Sequence, residues 1–234
     1  MTRRTYVAAL VLAVSIGFAA APAAAQGRQS INFQVGAFAP LDESARMTND
    51  VLLVNLDYLS FDIRDLRSAT VSADWSVLLS EYFEFGVGAG YYEGKMPSVY
   101  WDLVGDDGFE IQQEISLRIV PVTALVKFYP MGAFRSIQPY VGGGAALYLW
   151  NYRELGDFVD LTDNSIFTDE FVQSGTSVGP VALAGIRARV TPSTTIGVEG
   201  RYQWGKAKLS MDRFLSDRLD LGGVSGLVTF GFRF

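Results

Sequence analysis

Histidine and cysteine are both absent from the 234 residues. A serine hydroxyl needs a base to attack near neutral pH, and no imidazole is present to supply one. Zinc and copper sites lack their usual nitrogen and sulfur ligands. The side chains that retain chemical potential are ionised ones set within alternating apolar runs: Asp74, Glu84, Lys127, Arg187, Arg189, Glu199, Arg201 and Arg233. Both signs are present, which suits pairing in a narrow, water-poor space, where a charge must find a partner. Glu84 and Glu199 are the expected partners of Arg187, Arg189 and Arg201. No catalytic, cofactor-binding or metal-binding residue is expected, and the chain reads as a non-enzyme.

Two further groups could do chemistry. Carboxylates crowd two connecting segments, with Asp102, Asp106, Asp107 and Glu110 in one and Glu154, Asp157, Asp160, Asp163, Asp169 and Glu170 in the other. They lack EF-hand spacing, so the expectation is a solvated loop face rather than a dedicated Ca²⁺ or Mg²⁺ site. The run Gly86-Val87-Gly88-Ala89-Gly90 has neither the spacing nor the strand-to-helix context of a phosphate loop, and close strand packing is the better reading.

The elements that must position these charges have a period of two. Eight strands are expected, near 30–40, 68–79, 82–92, 115–129, 137–152, 177–190, 195–206 and 224–234. In the seventh, Ile196, Val198, Tyr202 and Trp204 oppose Glu199, Arg201 and Gln203, the alternation of a strand between two unlike surroundings. In the fourth, Val122, Ala124, Val126 and Phe128 share a parity with Arg118, so a bulge is expected near Pro121. The fifth is apolar or small on both parities and its facing is ambiguous. Links after the second, fourth and sixth strands are short, whereas those after the first, third, fifth and seventh are long and charged. Short turns at one end and long loops at the other are how membrane barrels are built. The expected fold is therefore all-β, an eight-stranded antiparallel up-and-down transmembrane β-barrel. A soluble barrel is the rival, with its apolar face turned inward.

Export is expected. Arg3 and Arg4 precede an uncharged run from Tyr6 to Ala21, and Ala23-Ala24-Ala25 supplies a small-residue site, so residues 1–25 read as a cleaved signal peptide and 26–234 as the barrel domain. Removing Arg3 and Arg4 takes the formal charge from −6 to −8, which disfavours nucleic acid as a partner. At the other end Val228, Phe230, Phe232 and Phe234 share one parity.

With KFYP at 127–130, QPYVGGGAALYLWNY at 138–152, GPVALAGIRARVTP at 179–192 and this aromatic-ended last strand, the chain resembles the small Gram-negative outer-membrane β-barrels, the OmpA-barrel and OmpW-like group. The resemblance covers about Ser30 to Phe234, without the peptidoglycan-binding domain of the two-domain arrangement. It implies a location in the outer membrane and contact with its lipid and lipopolysaccharide. It makes Val228, Phe230, Phe232 and Phe234 a signal to the barrel-assembly machinery, and it implies a monomer. It also implies a structural or surface-interaction role, or alternatively a narrow pore or conduit for small or hydrophobic solutes. Eight strands leave an interior that side chains can fill, so a polar plug is expected. A polar plug throughout supports the first role, and an apolar upper lumen or a lateral opening supports the second.

Overall fold

A computed structural model of the chain describes residues 28–104, 108–160 and 165–234. The segment 1–25, expected as a signal peptide, and the carboxylates Asp106, Asp107 and Asp163 lie outside them. Eleven strands are formed: β1 (Gln29–Pro40), β2 (Leu59–Ser60), β3 (Ser68–Leu78), β4 (Phe83–Val104), β5 (Glu110–Phe128), β6 (Ile137–Val159), β7 (Ile166–Arg189), β8 (Thr194–Gln203), β9 (Lys206–Lys208), β10 (Arg218–Asp220) and β11 (Gly223–Arg233). Eight of them close a ring in the order β1-β3-β4-β5-β6-β7-β8-β11, with β11 returning to β1 and every pairing antiparallel. Closure leaves no unpaired sheet edge within the ring, the condition for a sheet to sit in lipid.

Side-chain polarity is inverted relative to a soluble barrel. Phe33, Val71, Val178 and Val198 face outward with 51%, 50%, 70% and 54% of their surface exposed, whereas Glu84, Arg187 and Glu199 face inward at 1–2%. Burying apolar area is the main driving force for folding in water, so an exposed band of this kind requires an apolar medium around it. Aromatic residues edge the band. Phe83 packs on Phe128 (5.2 Å between centroids) and Phe33 on Phe232 (6.5 Å) toward the short-turn end, and Tyr202 packs on Trp204 (4.3 Å) toward the loop end.

Two expectations are corrected, and one open facing is settled. The β4–β5 register runs unbroken past Pro121, and the shift falls instead between Val99 and Val104. No bulge is needed at Pro121 because Arg118 does face outward. It lies opposite Glu93, above the apolar band, at the level where Lys95 pairs with Glu114 (3.2 Å) and Arg153 with Glu170 (2.6 Å). The links after the third and fifth expected strands are not long loops but continuing ladder, since β4 reaches Val104 and β7 begins at Ile166. Alternation persists there while the outer medium changes from lipid to water, so the apolar signal fades although the strand does not. The ambiguous strand β6 turns Tyr140, Tyr148, Trp150 and Tyr152 inward and Val141, Leu147 and Leu149 outward.

The segment 41–67 between β1 and β3 folds over the loop end. It contains a 3-10 turn (Glu43–Ala45), the short helix α1 (Val51–Asn55), β2 on the extension of β4, and a second 3-10 turn (Ile63–Leu66). Asp50 starts α1 by accepting from Leu52 N at 2.9 Å, which satisfies a backbone donor that a helix start leaves free.

Candidate functional site

The lumen has two unlike halves. Toward the short turns lies a charged network. Glu84 on β4 and Glu199 on β8 are bridged by Lys127 on β5, whose Nζ lies 3.7 Å from Glu84 Oε1 and 3.8 Å from Glu199 Oε2. Tyr129 donates to Glu84 (3.1 Å) and Tyr140 to Glu199 (3.0 Å). Arg187 reaches Glu84 Oε2 at 3.5 Å and stacks over the Tyr129 and Tyr140 rings. Arg201 grips Glu199 Oε1 through Nε (3.1 Å) and Nη2 (2.6 Å). Tyr140 can lie against β7 because residue 185 is glycine: a Cβ there would sit 2.6 Å from the tyrosine ring. Strand parity makes Gly185 an inward position, and the β6–β7 register sets Tyr140 directly opposite it.

Asp74 takes a different partner class from the expected cations. It accepts from Asn32 Nδ2 (2.7 Å) and from Gln34 Nε2, two amides on the adjacent β1 at inward positions. Arg189 also departs from the expected pairing, and Arg233, for which no partner was expected, joins it. Both are part-buried and donate to the carbonyl of Ala133 at 3.4 Å, in the 129–136 turn folded beneath the barrel mouth. The structure thus joins Glu84, Lys127, Arg187, Glu199 and Arg201 directly, sets Asp74 beside them on amides, and leaves Arg189 and Arg233 at the rim. Val228, Phe230, Phe232 and Phe234 all face outward.

The loop half is apolar. Phe38, Tyr92, Met96, Leu117 and Ile119 turn inward and meet Leu52, Ile63 and Leu66 of the covering segment, all within one buried cluster. Between the halves is a void of about 20 Å³, room for about one water. A solid polar plug throughout is therefore not what the lumen contains: polarity changes partway up, because most inward residues of the strands' upper parts are apolar or aromatic, with Gln113 and Glu154 among the exceptions.

A second ion pair, not anticipated from sequence, clasps the cover. Arg46 and Asp50 are both fully buried and meet at 3.0 Å. Arg46 Nη2 donates to the carbonyl of Asp220 (2.9 Å), and Asp50 Oδ2 accepts from Asp220 N (2.5 Å), so the pair ties the first long connection to β10 in the last. Burial raises the Asp50 carboxyl above its ordinary value, against the pull of the neighbouring guanidinium of Arg46. Asp immediately before the apolar run Val51–Val54 is a helix-start signal that could have located it.

No family model and no curated protein matches the sequence. Solved structures do match in shape. The outer membrane protein OprG from Pseudomonas aeruginosa aligns with a TM-score of 0.53 at 12% identity, covering 89% of this chain and 96% of that one. The fold is that of a small outer-membrane β-barrel. Neisserial surface protein A aligns at a TM-score of 0.48 and 14% identity, over 89% of this chain and 98% of that one.

Proposed function

We propose that this barrel resides in the outer membrane of a Gram-negative cell, reached by a cleaved export signal, and serves there as a structural or surface-interacting protein rather than as an open pore or an enzyme. The observation that carries the reading is the filled lumen. The lower half is occupied by a network of three cations on two carboxylates, with Asp74 held beside them on amides, and the upper half by the packed cover from 41–67. The outward apolar band supports residence in lipid, and the strand ends beyond it present charge at the height expected of lipid head groups and lipopolysaccharide. The outward aromatic parity of Val228 to Phe234 fits recognition by the barrel-assembly machinery. The chain's lack of histidine is consistent with a non-catalytic role.

The apolar upper lumen favours the second reading, a conduit for small or hydrophobic solutes. Such a route requires α1 and its clasp to leave the lumen. Planar bilayers containing the refolded protein decide between the two: silence at moderate voltage supports the closed barrel, and steady unitary conductance from the wild type refutes it.

A further inference from the structure

At the loop end, above the apolar band, the extensions of β4 to β7 and the 204–222 connection enclose a cavity of about 250 Å³. Its walls are aromatic, with Tyr58, Tyr100, Phe158, Phe167, Phe171 and Phe214 lining it. Phe158 meets Phe171 edge-on (4.7 Å) and stacks near Phe167 (5.9 Å), while Phe214 contacts Phe171 (6.5 Å). Rings arranged so present both faces and edges, and ring faces attract cations.

A carboxylate without a cation partner sits in this aromatic setting. Glu154 was expected on a solvated loop face, yet it is inward on β6 and 7% exposed. Its Oε1 receives both available donors, Asn55 Nδ2 at 2.7 Å and Tyr152 OH at 2.6 Å. Among the described residues no Lys or Arg comes within ion-pair distance of it. Gln113, also lining the cavity and 5% exposed, spends its amide N–H groups on Tyr100 OH (3.1 Å) and the carbonyl of Asp157 (3.0 Å). That fixes its orientation, with Oε1 buried off the cavity surface. Arg213 borders the same cavity as an exposed residue, where water and salt screen its charge.

A buried carboxylate with no cation partner is costly. A ligand that brings positive charge relieves that cost, and one with an apolar body also uses the aromatic walls. We propose that this cavity binds organic ammonium compounds, primary amines carried on an aryl or alkyl body, with Glu154 as the charge partner and the phenylalanines as the body's seat. A bare metal ion fits poorly, since a single carboxylate among aromatic rings cannot supply a hard cation's oxygen shell.

The inference deepens the surface-interaction reading by naming what that surface takes up, and it rests on this end of the barrel facing the medium. The test uses the full mature chain in detergent micelles, with ligand-detected NMR titrations of phenethylammonium, neutral 3-phenylpropanol and anionic 3-phenylpropionate, each corrected by protein-free micelles. The expected result is binding of the ammonium at least about tenfold tighter than the alcohol, with the anion weakest. Glu154→Gln should bring ammonium and alcohol within about twofold of each other. Phe214→Ala should weaken both. Equal affinity for ammonium and alcohol in the wild type, no binding of the ammonium, or a preference that survives Glu154→Gln each overturns the proposal. Should Glu154→Gln not refold, the wild-type ratio decides alone. Conductance in bilayers refutes the closed barrel while leaving this result standing, so the two failures are separable.

Discussion

The two halves of the lumen solve the same problem with opposite chemistry. Near the short turns, Glu84, Lys127, Arg187, Glu199 and Arg201 fill the interior by compensating charge. Near the loops, Leu52, Ile63 and Leu66 fill it by apolar packing against Met96, Leu117 and Ile119. Charge compensation is unforgiving, because removing one partner strands another in a place without water. Apolar packing degrades more gradually, because a cavity can partly collapse. The charged residues of the lower half all sit on ring strands, whose positions the ladder fixes, whereas the upper half depends on a connecting segment outside the ring.

The comparison breaks most sharply at Glu199. Glu199→Ala leaves Lys127 with one carboxylate and Arg201 with none, and a loss of about 3–5 kcal/mol in global stability is expected from urea titration in detergent. A loss below about 1 kcal/mol would show that water enters the lower half freely.

Leu52→Ala tests the other side. A cost of about 2–3 kcal/mol is expected, at the lower part of the range for buried leucines because the cover can settle. It should register as faster proteolysis and hydrogen exchange within 41–67, with the ring strands unchanged. If the ring destabilises equally, cover and ring form one cooperative unit.

Arg189→Ala should cost only about 1 kcal/mol, since its partner in the turn is the Ala133 carbonyl rather than a carboxylate. An effect as large as that of Glu199→Ala would mean that Arg189 belongs to the central network. The smallest change is expected at Asp57→Ala, an exposed residue of the cover, within about 0.5 kcal/mol by the same urea titration. A larger loss there would place the cover's surface under unrecognised strain.

Sequence alternation alone determined a good deal. Facing is a property of each strand's own period of two, so Ile196, Val198 and Tyr202 outward and Glu199 and Arg201 inward could be read from β8 without knowing its neighbours. The alternation of short and long connections similarly implied an up-and-down ring. Where the two surroundings cease to differ, that signal stops. β6 is apolar or small on both faces, and the extensions of β4 to β7 meet water outside, so their facing and length were not legible. Which charge meets which was decided only by the closed ring. Lys127 bridges Glu84 and Glu199 because β5 lies beside β4 and the barrel brings β8 across the lumen from it, whereas Arg189 is held at the rim too far along β7 to share that space. The covering of the upper half, the docking of the Arg46–Asp50 clasp on Asp220 and the meeting of Asn55 with Glu154 are likewise tertiary facts, because each joins segments far apart in the chain whose meeting no local pattern encodes.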